Sequence, residues 1–511
     1  MGELLNIFPN LALGFSTAVS PINLFYCFIG VLIGTLVGVL PGIGPVAAIA
    51  MLLPRTFSLN AVGAIIMLAG IYYGTQYGGS TTAILINLPG ESASVVTTMD
   101  GYQMARQGRA GPALAIAAVG SFFAGSVGTV LVALLGPPLA EFALKFGAPE
   151  YFSLMVFALL AAAVMSHGSM IKTIGMILLG LLFGIVGTDV NSGVSRFAFG
   201  VSGLTDGLSF AMVAMGLFGF AEILSNLQDG ADVASRDVLK KKISNLMPTW
   251  QDIKQAAPAI GRGTAIGAFF GTLPGGGPTI SAFSSYAVEK KLAKDPSRFG
   301  KGAIEGVAAP ESANNAAVQC AFITTLTLGI PHGATMALLL GALTIQGIAP
   351  GPQVMTQRPD LFWGLIASMW IGNAMLVILN LPLVGLWVKL LSIPYRFLFP
   401  AIMMFMAIGV YSVNNADLDI YMTTLFGLLG YLFMKLDCPP APLILAFVLG
   451  PLMEENLRRA LLISRGDPTV FATRPISATF LVLTAIMVVI MIVPSIRKKR
   501  EEATAEPAEA L

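Results

Sequence analysis

The chain has 511 residues, 55% of them hydrophobic and only 11% charged, with a mean hydropathy of +0.80. Ordinary soluble domains carry roughly 25% charge, so a water-soluble fold is excluded, and the net charge of +2 is too small to point to nucleic acid. Two histidines, His167 and His332, and three dispersed cysteines, Cys27, Cys320 and Cys438, argue against a metal centre or a disulfide framework, and no cofactor is expected.

No Lys or Arg precedes Arg55, so the start lacks the positive region of a cleavable signal and is read as mature. Residues 1–20 are expected to lie at the membrane interface. Apolar runs cut to bilayer thickness predict helices near 22–40, 45–57, 60–88, 112–135, 151–166, 170–187 and 207–226, which make a first membrane half over 21–225. A polar, basic stretch, 226–261, reads as a linker. Further runs near 262–288, 314–349, 361–391, 397–413, 420–435, 441–453 and 476–494 make a second half over 262–495, before a disordered tail at 496–511. The expected fold is all-α and polytopic, with about 12 transmembrane helices, several of them re-entrant or broken.

Eleven of the 29 Lys and Arg residues lie between Arg236 and Lys301, in two clusters around Lys240–Lys242 and Lys290–Lys301. Positive loops stay on the cytoplasmic side, which places both clusters, and the Arg497-Lys-Lys-Arg500 tail, in the cytoplasm. The apolar stretch between the clusters is too short for two full spans of about 20 residues each. It is therefore predicted to enter and return as a re-entrant hairpin.

Gly30, Gly34, Gly38, Leu40, Pro41, Gly42, Gly44 and Pro45 recur at a constant offset of 233 residues as Gly263, Gly267, Gly271, Leu273, Pro274, Gly275, Gly277 and Pro278. A weaker second match, at an offset near 242, relates Asn87-Leu-Pro-Gly90 to Gly329-Ile-Pro-His332. The chain reads as a duplication. Charge favours inverted repeats, because the second motif is flanked by dense positive loops and the first has only Arg55 beside it.

Proline and consecutive glycines break a helix, and a break in hydrocarbon exposes N–H and C=O groups that must find partners. Each break offers a half-helix N-terminus to an anion and C-terminal carbonyls to a cation. Gly42, Gly44, Pro45, Gly275, Gly276, Gly277, Pro278 and Thr279 are thus candidates for a binding site at membrane depth. Kinking or close helix packing is the plainer explanation of such residues, but two matching copies favour function. Ser80, Thr81, Thr82 and Asn87, and Asn314, Asn315, Thr325 and Thr327, add neutral donors and acceptors, against the plainer role of back-bonding to their own helix. Among Asp189, Glu222, Glu311 and Asp417, Glu311 is kept as a possible ionisable site residue, with His332 either lining the site or capping a helix.

These stretches, above all Tyr72-Tyr-Gly-Thr-Gln-Tyr-Gly-Gly-Ser-Thr-Thr82, Asn87-Leu-Pro-Gly-Glu91, Gly271 to Lys290 and Ala309-Pro-Glu-Ser-Ala-Asn-Asn-Ala316, resemble the large membrane subunit of the tripartite tricarboxylate transporters, the TctA family. The resemblance implies a bacterial inner-membrane component driven by a Na⁺ or H⁺ gradient. It also implies two protein partners, a periplasmic solute-binding protein and a small four-helix-type membrane subunit, and a small organic anion as cargo. His332 stands where the family pattern leads one to expect a small residue. A passive channel and an intramembrane hydrolase using Ser80 with a histidine are the rival readings. The duplicated breaks suit alternating access better than a continuous pore, and no GxSxG motif supports the hydrolase.

Overall fold

A computed structural model describes residues 7–40, 44–165, 169–189, 192–228, 246–273, 277–390 and 395–492. Nearly all of it is helix. The first half comprises α1 (Ile7–Ala18), α2 (Pro21–Val39), α3 (Gly44–Leu52), α4 (Ala61–Ile86), α5 (Val95–Arg106), α6 (Ala110–Ala143), α7 (Ala148–Met165) and α8 (Met170–Gly184). A two-residue hairpin, Gly187–Thr188 against Ser195–Arg196, precedes α9 (Phe210–Ala214), which passes through a π turn at Met215–Phe220 into α10 (Ala221–Gln228). The second half comprises α11 (Trp250–Gly271), α12 (Pro278–Leu292), α13 (Glu305–Leu328), α14 (Ala334–Ile345), α15 (Gln353–Gln357), α16 (Pro359–Asn380), α17 (Val384–Leu390), α18 (Tyr395–Asn414), α19 (Asp417–Lys435), α20 (Pro440–Ile463), α21 (Val470–Thr473) and α22 (Pro475–Ile492).

Among the described residues, α2, α6 and α16 are long and apolar enough to cross a membrane by themselves. Others, such as α8 and α14, are apolar but shorter. The outer surface carries exposed Phe25, Phe123, Leu178, Leu425 and Val482, the composition expected of a face solvated by lipid rather than water.

Two helices sit wholly inside. Every residue of α4 from Val62 to Ile86 is buried, as is every residue of α13 from Gly306 to Thr327. Each is packed by a glycine-bearing neighbour in the same way. On α2, a Cβ at Gly30, Gly34 or Gly38 would strike the backbone of α4 at Met67, Ile71 and Thr75. On α11, Gly263, Gly267 and Gly271 lie against the backbone of α13 at Ala309, Ala313 and Ala317. Glycine at four-residue spacing is what lets two helix backbones touch. Both inner helices then end on a left-handed residue, Asn87 (φ 58°) and Gly329 (φ 71°), followed by a Leu-Pro or Ile-Pro pair.

The helix breaks fall where the repeated motifs are. α2 stops at Val39 and α3 starts at Gly44 (φ 62°); α11 stops at Gly271 and α12 starts after Gly277 (φ 54°). Two helices flank the second motif. These, α11 and α12, run side by side, and Arg262 pairs with Glu289 at 2.5 and 2.8 Å across them. The first begins at Trp250, earlier than hydropathy placed it, because Thr249 and Asp252 form a capping box that starts the helix in polar sequence. The run read as one helix over 314–349 is two, α13 and α14, divided at Gly329 and Pro331. The amphipathic α5, unpredicted, is drawn in by burial of Val96, Thr97 and Met104.

Candidate functional site

The starts of α3 and α12 open onto a shared space. Gly44, Pro45, Pro278 and Thr279 line a cavity of about 370 Å³ together with Gln76, Glu91 and Glu222. A second cavity, of about 300 Å³, shares Tyr72, Ser92, Pro278, Thr279 and Thr335 with the first and adds Gly277 and His332. Two half-helix N-termini from distant parts of the sequence thus face one pocket that also holds carboxyl and amide side chains. A Cβ on Gly44 would meet nothing within 4 Å, so that backbone N-terminus is open to the space. Ser92 Oγ and Thr279 Oγ1, 2.8 Å apart, tie the loop after α4 to the start of α12.

His332 acts at the second break. The Gly277 N–H donates to its Nε2 at 3.0 Å, and Phe270 O lies 3.2 Å from the same nitrogen. One of the N–H groups left orphaned at the start of α12 is satisfied in this way. At the first break, Gly90 holds the place matched to His332. Its backbone is pressed against Gly38 O and lies where an added Cβ would come within 2.6 Å of the Gly79 Cα.

Glu311 lies deeper, on α13. It accepts from Ser80 Oγ at 2.5 Å, from the Thr97 hydroxyl, and from Asn314 Nδ2 at 3.5 Å. Asn315 Nδ2 extends the network to Ser121 Oγ at 2.8 Å. Glu91 lines the larger cavity, and Gln76, with its amide turned to face it, donates to Glu91 Oε1 at 2.8 Å. Among the described residues, no Lys, Arg or His forms an ion pair with Glu91, Glu222 or Glu311.

Of the residues singled out from sequence, Gly44, Pro45, Gly277, Pro278, Thr279 and His332 come together at the two cavities. Ser80, Asn314 and Asn315 gather around Glu311 instead. Thr82, Thr325 and Thr327 donate to carbonyls of their own helices, Gly79, Ala321 and Ile323, and line neither cavity. Asn87 is the left-handed cap of α4. Gly42, Gly275, Gly276 and His167 lie outside the described residues. Asp189 pairs with Arg458 at 2.9 Å, far along the chain from the breaks. Sequence reasoning passed over Gln76, Glu91, Ser92 and Thr335, and it set Glu222 aside. The signal for Glu91 was available: a carboxylate directly after Leu88-Pro-Gly90, at the end of a long apolar run.

The chain matches the model of the tripartite tricarboxylate transporter TctA family over residues 24–445. It is similar to two proteins of Agrobacterium vitis. One, described as an uncharacterized 52.8 kDa protein in the TAR-I ttuC′ 3′ region, is 58% identical over 503 residues, 98% of this chain and 100% of that protein. The other, described as an uncharacterized protein in the TAR-II ttuC′ 3′ region, is 60% identical over 240 residues, 47% of this chain and 99% of that protein. No solved structure matches.

Proposed function

Because the chain belongs to the tripartite tricarboxylate transporter TctA family, we propose that it is the subunit through which a small organic di- or tricarboxylate is imported, driven by a Na⁺ or H⁺ gradient. The cargo is handed over by a periplasmic solute-binding protein, and a small four-helix-type membrane subunit completes the assembly in the bacterial inner membrane, with the C-terminus cytoplasmic.

The observation that carries this reading is the meeting of two half-helix N-termini at one cavity, the starts of α3 and α12. Free N–H groups and the positive ends of two helix dipoles favour a carboxylate between them. Glu91 and Glu222, which line the same cavity, oppose it, since two carboxylates repel an entering anion unless a proton or metal cation neutralises them. That conflict is the physical argument for coupling: the anion binds well only when cations accompany it.

We take α4 with α5, α6, α7, α8, and α9 with α10 as one crossing each, which makes five among the described residues between the two breaks. An odd number turns the second hairpin over relative to the first, as inverted repeats require. The glycine ladders of α2 on α4 and α11 on α13, and the matched left-handed caps, support the same duplication. The hydrolase reading gains nothing, because Ser80 is engaged with Glu311, and His332 with Gly277 and Phe270.

The test is uptake of a radiolabelled tricarboxylate, with citrate as the first probe, into proteoliposomes holding the assembled transporter and its binding protein. Uptake is expected to need an imposed cation gradient and to stop when an ionophore collapses it. Gradient-independent equilibration of the solute would instead identify a passive channel.

A further inference from the structure

A third cavity lies beside Ser80 and shares no lining residue with the two at the helix breaks. Its volume is about 10 Å³, the space of roughly one water molecule. Its polar walls are oxygen-bearing side chains: Tyr77, Ser80 and Thr81 of α4, Ser121 of α6 and Asn380 at the end of α16. Asn380 Nδ2 donates to Leu376 O at 2.9 Å and to Thr35 Oγ1 at 3.4 Å. Its Oδ1 has no partner, although the residue is only 4% exposed. An unpaired amide oxygen at that depth costs about 1–3 kcal/mol unless something fills its lone pairs.

The hydroxyls present the same chemistry. Thr81 Oγ1 is 3.3 Å from Tyr77 O and Ser121 Oγ is 3.5 Å from Glu311 O, long contacts that direct the protons toward carbonyls; Ser121 Oγ also accepts from Asn315 Nδ2 at 2.8 Å, which leaves it one lone pair, while both of Thr81's stay free. Ser80 Oγ lies 2.8 Å from Gln76 O and 2.5 Å from Glu311 Oε2, and has one proton for the two. Glu311 is wholly buried, held by neutral donors, and paired with no basic side chain among the described residues. A carboxyl group in that setting is neutralised by its own proton or balanced by a cation close by.

We propose that this cavity binds one dehydrated Na⁺, coordinated by Asn380 Oδ1 and the Ser80, Thr81 and Ser121 hydroxyls and balanced by Glu311 through Ser80. The inference rests on the ion-coupled reading above and gives the coupling ion an identity and a place. The site is separate from the cavity at the helix breaks, yet Ser80 follows Gln76 by one turn of α4, and Gln76 reaches Glu91 on the cavity wall. Ion and anion are thereby joined through one helix face.

The test is Na⁺ binding to the purified full-length subunit, read as retention of ²²Na⁺ and as the rise in Tm with NaCl against KCl and choline chloride at equal ionic strength. The wild type is expected to show saturable, Na⁺-selective stabilisation. Asn380→Ala and Thr81→Val should each weaken the apparent affinity about tenfold or more, and Thr81→Ser, which keeps the hydroxyl, should retain it. Gel filtration distinguishes misfolded variants, and Thr81→Ser against Thr81→Val decides the case if Asn380→Ala does not fold. Equal effects of Na⁺ and K⁺ on the wild type, absence of ²²Na⁺ retention because the cavity holds water, or an unchanged Na⁺ response in Thr81→Val would each overturn the site. Loss of the site with gradient-driven uptake intact leaves the transporter reading standing. Na⁺ binding that depends on these residues, in a protein that moves no carboxylate, upholds the site and removes the transporter reading.

Discussion

Gly90 has no room for a methyl group: a Cβ there would strike Gly38 O and approach the Gly79 Cα to 2.6 Å. Both contacts are backbone and cannot step aside. Gly90→Ala is therefore expected to lower stability by about 1–3 kcal/mol, read as a fall in Tm of the detergent-solubilised protein; an unchanged Tm would mean that the chain does not approach α2 so closely. At the matched position, His332→Ala removes the acceptor for the Gly277 N–H. A loss of about 1–3 kcal/mol is expected, partly restored by His332→Gln, which can still accept. Glu311 separates structure from function. Glu311→Gln keeps an acceptor for one of Ser80 and Thr97, whose contacts are with different carboxylate oxygens, and the other hydroxyl can turn to accept from the amide; the variant should fold, while gradient-driven uptake falls to background. Wild-type uptake in Glu311→Gln would remove the carboxylate from the coupling scheme.

At the scale of elements, the second hairpin is held by contacts outside its break. Arg262 and Glu289 clamp its legs, with the carboxylate side chain only 4% exposed and the guanidinium 44% exposed. Truncating Arg262 strands a buried charge, whereas exchanging the two residues restores the pair. Arg262→Glu combined with Glu289→Arg should recover most of the expression and Tm lost in either single variant. The loop beyond the hairpin is fastened by Asp100 of α5. Its Oδ1 accepts from the N–H groups of Gly300, Gly302 and Ala303 at 2.7–2.9 Å, and its Oδ2 accepts from the Tyr286 hydroxyl at 2.9 Å. Asp100→Ala should open this loop to limited proteolysis; resistance equal to wild type would contradict the fastening. Both devices escaped the sequence reading for one reason. Hydropathy reports which segments are apolar, and the Pro-Gly pairs report where helices must stop, so the breaks at Val39–Gly44 and Gly271–Pro278 were legible. Partners in space were not, because Asp100 meets a loop 200 residues later in the chain.

For the molecule as a whole, the duplication read from glycine and proline spacing pointed to the cavity, since each copy supplies one half-helix N-terminus to it. The chemistry lining that cavity was less visible. Gln76 and Glu91 belong to segments that pattern analysis reads as buried helix and loop, and their place at the cavity emerges only when α4 and the loop after it close against α12. The threonines Thr82, Thr325 and Thr327, conspicuous in sequence, bond to their own helices, as hydroxyls in apolar helices commonly do. The most direct test of the central claim is an experimental density map of the assembled transporter with a bound di- or tricarboxylate. Both helices should be interrupted at the Pro-Gly motifs, with anion density between the N-terminus of α3 at Pro45 and that of α12 at Pro278. Continuous helices through either motif, or an anion bound away from both, would contradict the claim.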